Sequence, residues 1–179
     1  MEISEFNIPG LKLITPKRFS DERGFFMESF QTDRYAQVIQ EHFVQDNISN
    51  SKKGVIRGLH LQQPPHAQGK LVQVLRGAVS DVALDLRKSS PTFGMHVQVE
   101  ISAENGQQFY IPPGFAHGFQ ALEDDTLFLY KCTNFYAAAD ELTLRWDDPV
   151  LDIQWPINPA ITSPKDEQGW WFNEFNSPF

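Results

Sequence analysis

The stretch Gly106-Gln107-Gln108-Phe109-Tyr110-Ile111-Pro112-Pro113-Gly114-Phe115-Ala116-His117 carries the architecture of this chain. A strand-like run, Gln108–Ile111, stops at Pro-Pro-Gly, where the prolines remove backbone donors and the glycine takes up a turn, and a histidine follows three positions later. On the N-terminal side, Leu71–Leu86 reads as two strands around Gly77. Val72 and Val74 alternate along the first. Val82, Leu84 and Leu86 share one face of the second, with Asp81 and Asp85 on the other. Further strand-like runs are Phe25–Phe30, Val55–Leu61, Met95–Ile101 and Thr126–Lys131, separated by turn signals such as Pro64-Pro65 and Asn105-Gly106. Short strands at this density predict an all-β barrel or sandwich. One helix is expected from about Asp33 to His42, capped by Thr32, with Tyr35, Val38, Ile39 and His42 on a common packing face. The tail from Asp147 onward, rich in proline and tryptophan, is expected to be irregular and pinned against the rest.

With 179 residues, 41% of them hydrophobic and 13% aromatic, the chain can bury one sizeable core, so a single domain over 1–179 is expected. A net charge of −8 repels a phosphate backbone and argues against general nucleic-acid binding. Any anionic ligand must therefore find clustered Arg and Lys. No run approaches the length of apolar sequence needed to span a bilayer, so no membrane partner is expected. The lone Cys132 cannot form an internal disulfide, and Met1–Ile14 lacks the pattern of a secretion signal. A cytoplasmic location is the expectation.

Gly106, Pro112, Gly114 and His117 keep the G-x5-P-x-G-x2-H spacing found in many cupin barrels. The first cupin motif, His-x-His, then Glu, then Gly seven positions later, is matched by His60-Leu61-Gln62, Lys70 and Gly77. The frame is that of a double-stranded β-helix, a jelly-roll barrel with a few short helices, but its chemistry has changed. A cupin metal is held by several imidazoles and a carboxylate. Gln62 is a poor donor, and a Lys70 ammonium in the carboxylate's place repels a cation. The same ammonium suits an enzyme that stabilises an oxyanion without a metal. A metal-dependent oxygenase is the competing reading from His60 and His117, opposed by Gln62 and Lys70.

The runs Asp21–Glu28, Gln45–Ser49, Val55–His60, Gly69–Val72, Asp85–Arg87, Ser90–Gly94, Ile111–Phe119, Tyr130-Lys131 and Ser163–Asp166, taken in order, resemble the successive motifs of the dTDP-4-dehydrorhamnose 3,5-epimerase family across nearly the whole chain. The resemblance implies a homodimer, no cofactor, and a nucleotide-sugar substrate, dTDP-4-dehydro-6-deoxy-D-glucose, epimerised at C3 and C5. Protons at those carbons are acidified only by the C4 ketone, so the reaction needs a base, an oxyanion stabiliser and an acid on the opposite face.

By resemblance, His60 is the base and Asp166 the carboxylate that orients it. Lys70 faces the C4 oxygen, and Tyr130 returns the proton from the far side. Arg23, Arg57 and Lys165 resemble diphosphate or sugar contacts. Glu28, Gln45, Asp46, Asn47 and Glu141 resemble polar contacts to thymine or sugar, Tyr136 an aromatic stacked on the base, and His117 a substrate contact. Asp85 is expected either to pair with a cavity cation or to form a structural salt bridge. Two departures from the family pattern are His96, where an aromatic is common, and Leu142-Thr143-Leu144, which lacks a small residue; both bear on the exact substrate. An epimerase acting at C3 or C5 alone, and a binding module without turnover, are the remaining alternatives.

Overall fold

The computed structural model describes residues 1–179. Its strands are β1 (Glu2–Glu5), β2 (Lys12–Thr15), β3 (Arg18–Asp21), β4 (Gly24–Met27), β5 (Gln45–Ser51), β6 (Ile56–Gln62), β7 (Lys70–Arg76), β8 (Ala78–Asp85), β9 (His96–Ser102), β10 (Gln108–Ile111), β11 (Phe115–Ala121), β12 (Thr126–Cys132) and β13 (Glu141–Thr143). Two one-turn helices, α1 (Thr32–Tyr35) and α2 (Pro164–Glu167), complete the regular structure with two short 3₁₀ turns. The strands form one six-stranded sheet, β1-β2-β10-β7-β12-β5, and one five-stranded sheet, β13-β6-β11-β8-β9, while β3 and β4 pair only with each other. This is the jelly-roll architecture of the cupin frame.

Between the sheets lies a core that includes Val72, Val74, Val79, Ala83, Phe109, Phe115, Phe119 and Phe128. It fills part of the barrel, and a cavity occupies the rest. The outer face of the five-stranded sheet presents Leu59, Leu61, Val82, Leu84 and Leu86. There the tail is pinned, as expected, by Trp155, Phe172, Phe175 and Phe179. Every residue of β8 is consequently buried, and its alternation separates two buried faces rather than a dry and a wet one.

Two glycines make the sheets meet where the site needs them. Gly77 turns β7 into β8 at φ +79°, where a Cβ would stand 2.5 Å from Thr126 Oγ1. A Cβ on Gly58 would lie 2.4 Å from the Gly118 Cα, so only glycine permits β6 and β11 to approach this closely. The β6–β11 register that results, with an irregularity between His117 and Phe119, sets His60 directly across from His117.

The expected helix over Asp33–His42 is reduced to Thr32–Tyr35, capped by Gln31, whose side chain accepts from Arg34 N, rather than by Thr32. Its apolar face is real, since Tyr35 and Ile39 are buried against Ile14, Leu71 and Tyr110. Lys12 Nζ donates to the Val38 carbonyl at 2.7 Å, taking the acceptor that a continuing helix would give to His42. His42 is exposed and lies off that face.

Candidate active site

A cavity of about 650 Å³ opens between the two sheets. Of the fourteen catalytic and substrate-binding candidates, eleven line it: Gln45, Asn47, Arg57, His60, Lys70, His117, Tyr130, Tyr136, Glu141, Lys165 and Asp166. Three do not. Arg23 is on the exposed β3–β4 turn and pairs with Asp21, Glu28 pairs with Arg34, and Asp46 points outward to Lys131. Period-two alternation accounts for Asp46, since β5 turns Gln45, Asn47, Ser49 and Ser51 inward and the residues between them outward.

His60 Nε2 lies 2.5 Å from Asp166 Oδ1. Asp166 reaches it because Ser163 caps α2, accepting from Asp166 N at 3.2 Å while its hydroxyl donates to Asp166 Oδ2 at 2.7 Å. Pro164 opens the helix, so this Ser-Pro-Lys-Asp turn fixes the carboxylate through a cap. Burial pushes the Asp166 carboxyl up, but His60 and Ser163 together outweigh it and hold the group below its ordinary range. The carboxylate stays charged beside the imidazole, which favours the tautomer whose other nitrogen is free to take a proton.

Lys70 is sunk in the wall of the cavity, where Nζ makes one long hydrogen bond, 3.4 Å to the His60 carbonyl. Burial draws its ammonium below the usual range, opposed by Cys132, Asp81 and Glu141. Tyr130 projects from β12 in the six-stranded sheet, and His60 from β6 in the five-stranded sheet, so imidazole and phenol approach the cavity from opposite walls. Burial raises the Tyr130 phenol, keeping it protonated.

Around this group stand polar residues that fix one another. Glu141 is ion-paired to Lys165 at 2.6 Å and accepts from the Tyr136 hydroxyl at 2.9 Å. The Tyr136 N–H donates to Gln45 Oε1 at 3.0 Å. Arg57 is held by Ser51 Oγ at 3.1 Å and the Asn50 carbonyl at 3.2 Å. Gln62, at the position of a cupin ligand, turns its amide to the His66 and Phe135 carbonyls and its oxygen to Ala137 N. It is a tie between loops. No three His, Cys, Asp or Glu side chains come together as a metal site requires.

Asp85 does not face the cavity cations. It binds Arg87, Ser90 and Thr92, and this structural salt bridge is the second of the two expectations for it. Its neighbour on the same strand face, Asp81, which sequence reasoning did not single out, stands behind the cavity-lining His117. It is fully buried and bound to His117 Nε2 at 3.0 Å. Burial raises Asp81 and lowers His117, so the pair resists charging. Its signal in the sequence was an acid on the inner face of an otherwise apolar strand. Ser49 was also missed: its buried hydroxyl stands in the cavity wall without a partner.

Residues 5–174 match the family model described as dTDP-4-dehydrorhamnose 3,5-epimerase. The chain is 50% identical over 171 residues to the dTDP-4-dehydrorhamnose 3,5-epimerase of Shigella flexneri, covering 94% of each chain, and 48% identical to that of Pseudomonas aeruginosa, again covering 94% of each. It superposes with a TM-score of 0.93, at 49% identity and covering 98% of this chain and 94% of the other, on the crystal structure of dTDP-6-deoxy-D-glucose-3,5-epimerase from Legionella pneumophila in complex with dTDP-4-keto-L-rhamnose.

Proposed function

The chain belongs to the dTDP-4-dehydrorhamnose 3,5-epimerase family, and we propose that its cavity converts dTDP-4-dehydro-6-deoxy-D-glucose to dTDP-4-dehydro-L-rhamnose by inverting C3 and C5 in turn through an enolate, without a cofactor. His60 takes the proton from the carbon beside the ketone, Asp166 supporting the imidazolium that forms. The C–H electron pair moves into the C4 carbonyl, and the Lys70 ammonium meets the charge that develops on its oxygen. Because that cation is fixed in a site of low dielectric, it favours the enolate more than the ketone. Tyr130 then delivers a proton to the opposite face of the same carbon, which inverts it. Imidazolium and phenolate return to their starting states by proton exchange with solvent, and the cycle repeats at the second carbon. The observation that supports the reading most is one cavity lined by the Lys70 ammonium and the Tyr130 phenol from neighbouring strands of the six-stranded sheet and by the His60 imidazole from the five-stranded sheet.

For the nucleotide, Arg57 and Lys165 offer cations to the diphosphate, Tyr136 a ring to thymine, and Gln45, Asn47, Glu141 and His117 polar contacts to base and sugar. Arg23 and Glu28 enter this scheme only through a second copy. The β3–β4 hairpin pairs with neither sheet, and it leaves Phe25 58% and Phe26 69% exposed. In a homodimer these rings and Arg23 would close the partner's cavity, and burying them there removes apolar surface from water. A cytoplasmic setting suits the free Cys132 thiol.

Incubation with dTDP-4-dehydro-6-deoxy-D-glucose, followed by NMR assignment of the product, tests the reaction. The L-rhamno configuration is expected. A product inverted at C3 alone would make this chain a mono-epimerase, and recovery of unchanged substrate would refute the proposal.

A further inference from the structure

His66 Nδ1 lies 2.5 Å from Asp140 Oδ2, outside the cavity and away from the proton-transfer groups. Gln63 reinforces the contact, with Nε2 donating to Asp140 Oδ1 at 3.2 Å and N donating to Asp140 O at 2.9 Å. The loop between β6 and β7 is thereby fastened to the 3₁₀ turn Ala138–Asp140, which stands between Tyr136 and Glu141 in the chain. That turn buries no residue, and Phe135 and Tyr136 beside it are 64% and 56% exposed. The turn itself buries no side chain, so polar ties fasten it. Like the Lys165–Glu141 pair beyond the turn, the His–Asp contact engages an ionised carboxylate, which makes a hydrogen bond shorter and stronger.

A wall that is already ordered spares an incoming ligand the entropy of ordering it. We propose that His66 and Asp140 are a positioning pair: they hold Tyr136 and Glu141 in place for the nucleotide end of the substrate, and so set affinity without touching the chemical step. This rests on the reading of Tyr136 and Glu141 as nucleotide contacts.

Calorimetric titration with dTDP, which lacks the sugar, and steady-state kinetics with the dTDP-4-keto sugar test the proposal. For His66→Ala and Asp140→Ala, dTDP affinity should fall about fivefold to tenfold, the scale of one charge-assisted hydrogen bond. KM should rise by the same factor, with kcat within about twofold of the parent. The double variant should be no weaker than either single one, because both remove the same interaction. His66→Asn, whose side-chain amide nitrogen stands where Nδ1 does and can still donate to Asp140, should recover most of the affinity, and it provides a folded comparison if the alanine variants unfold. Unchanged dTDP affinity in the alanine variants, a loss confined to kcat, or an asparagine variant as weak as alanine would each overturn the pairing. The premise is checked by Tyr136→Ala. If that variant weakens dTDP and His66→Ala does not, only the pairing falls. If the parent protein binds no dTDP, the reading of the cavity falls, and the pairing with it.

Discussion

His60 and Asp166 are 106 residues apart in the chain and 2.5 Å apart in space, with one oxygen of the carboxylate on the imidazole and the other on the hydroxyl of Ser163. The helix cap is therefore also the support of the base. Asp166→Asn should lower kcat by about 10²-fold or more, since the amide can neither hold the tautomer nor stabilise an imidazolium. Affinity for dTDP should change little. Ser163→Ala should give a smaller loss of kcat, which a matched series of kinetics would reveal.

Lys70 separates stability from activity. It is a half-buried amine with one long hydrogen bond, and withdrawing such a group from water costs folding free energy. Lys70→Met should stabilise the fold by on the order of 1 kcal/mol or more, seen as a higher melting temperature. It should lower kcat by about 10²–10³-fold, the scale of removing an oxyanion contact. A variant that is both less stable and fully active would remove Lys70 from the site.

Tyr130→Phe should exchange protons without inverting the sugar. His60 can still remove a proton and put it back on the same face, while the opposite wall has no donor. NMR should show solvent deuterium entering the substrate faster than product forms. Equal loss of exchange and inversion would leave the acid unassigned.

Acid should weaken the fold through Asp85. Burial pushes its carboxyl up, but Arg87, Ser90, Thr92 and the Arg87 N–H outweigh that and hold it at about 2, against 3.8 for an ordinary Asp. A depressed carboxylate contributes stability that is complete above its ordinary value and is lost as pH falls through the folded one. The window is thus from about pH 4 down to about pH 2, with a contribution on the order of 2 kcal/mol. Asp85→Asn should be less stable at neutral pH, and its denaturation midpoint should fall less steeply across that window.

Much of this arrangement could be read from residue order. The strands around Gly77 and the Pro112-Pro113-Gly114 turn are local signals, and the structure has strands on both sides of each. The catalytic assignments came from family resemblance, and the residues concerned do meet in one cavity. What failed depended on contacts distant in sequence. The helix after Asp33 is cut short by a lysine from β2, which no local propensity reports. Asp81 and Asp85 occupy the same strand face and flank Ala83, the partner of His117 in β11; Asp81 takes His117, while Asp85 is engaged by Arg87, Ser90 and Thr92 from the loop beyond its own strand. Arg23 and Glu28 fall outside the cavity with a hairpin that pairs with neither sheet, and under the proposed homodimer they serve a partner's site. Sedimentation should accordingly give a particle of twice the 20.5 kDa chain mass. Arg23→Ala should weaken dTDP without dissociating that dimer.

Proton exchange between sugar and solvent tests the central claim most directly. In deuterated water the parent protein should place deuterium at both C3 and C5 of the dTDP-4-keto sugar, and His60→Ala should place none at either while still binding dTDP. Label at both carbons in the His60→Ala protein would contradict the assignment of the base, and label at one carbon in the parent would contradict the double inversion.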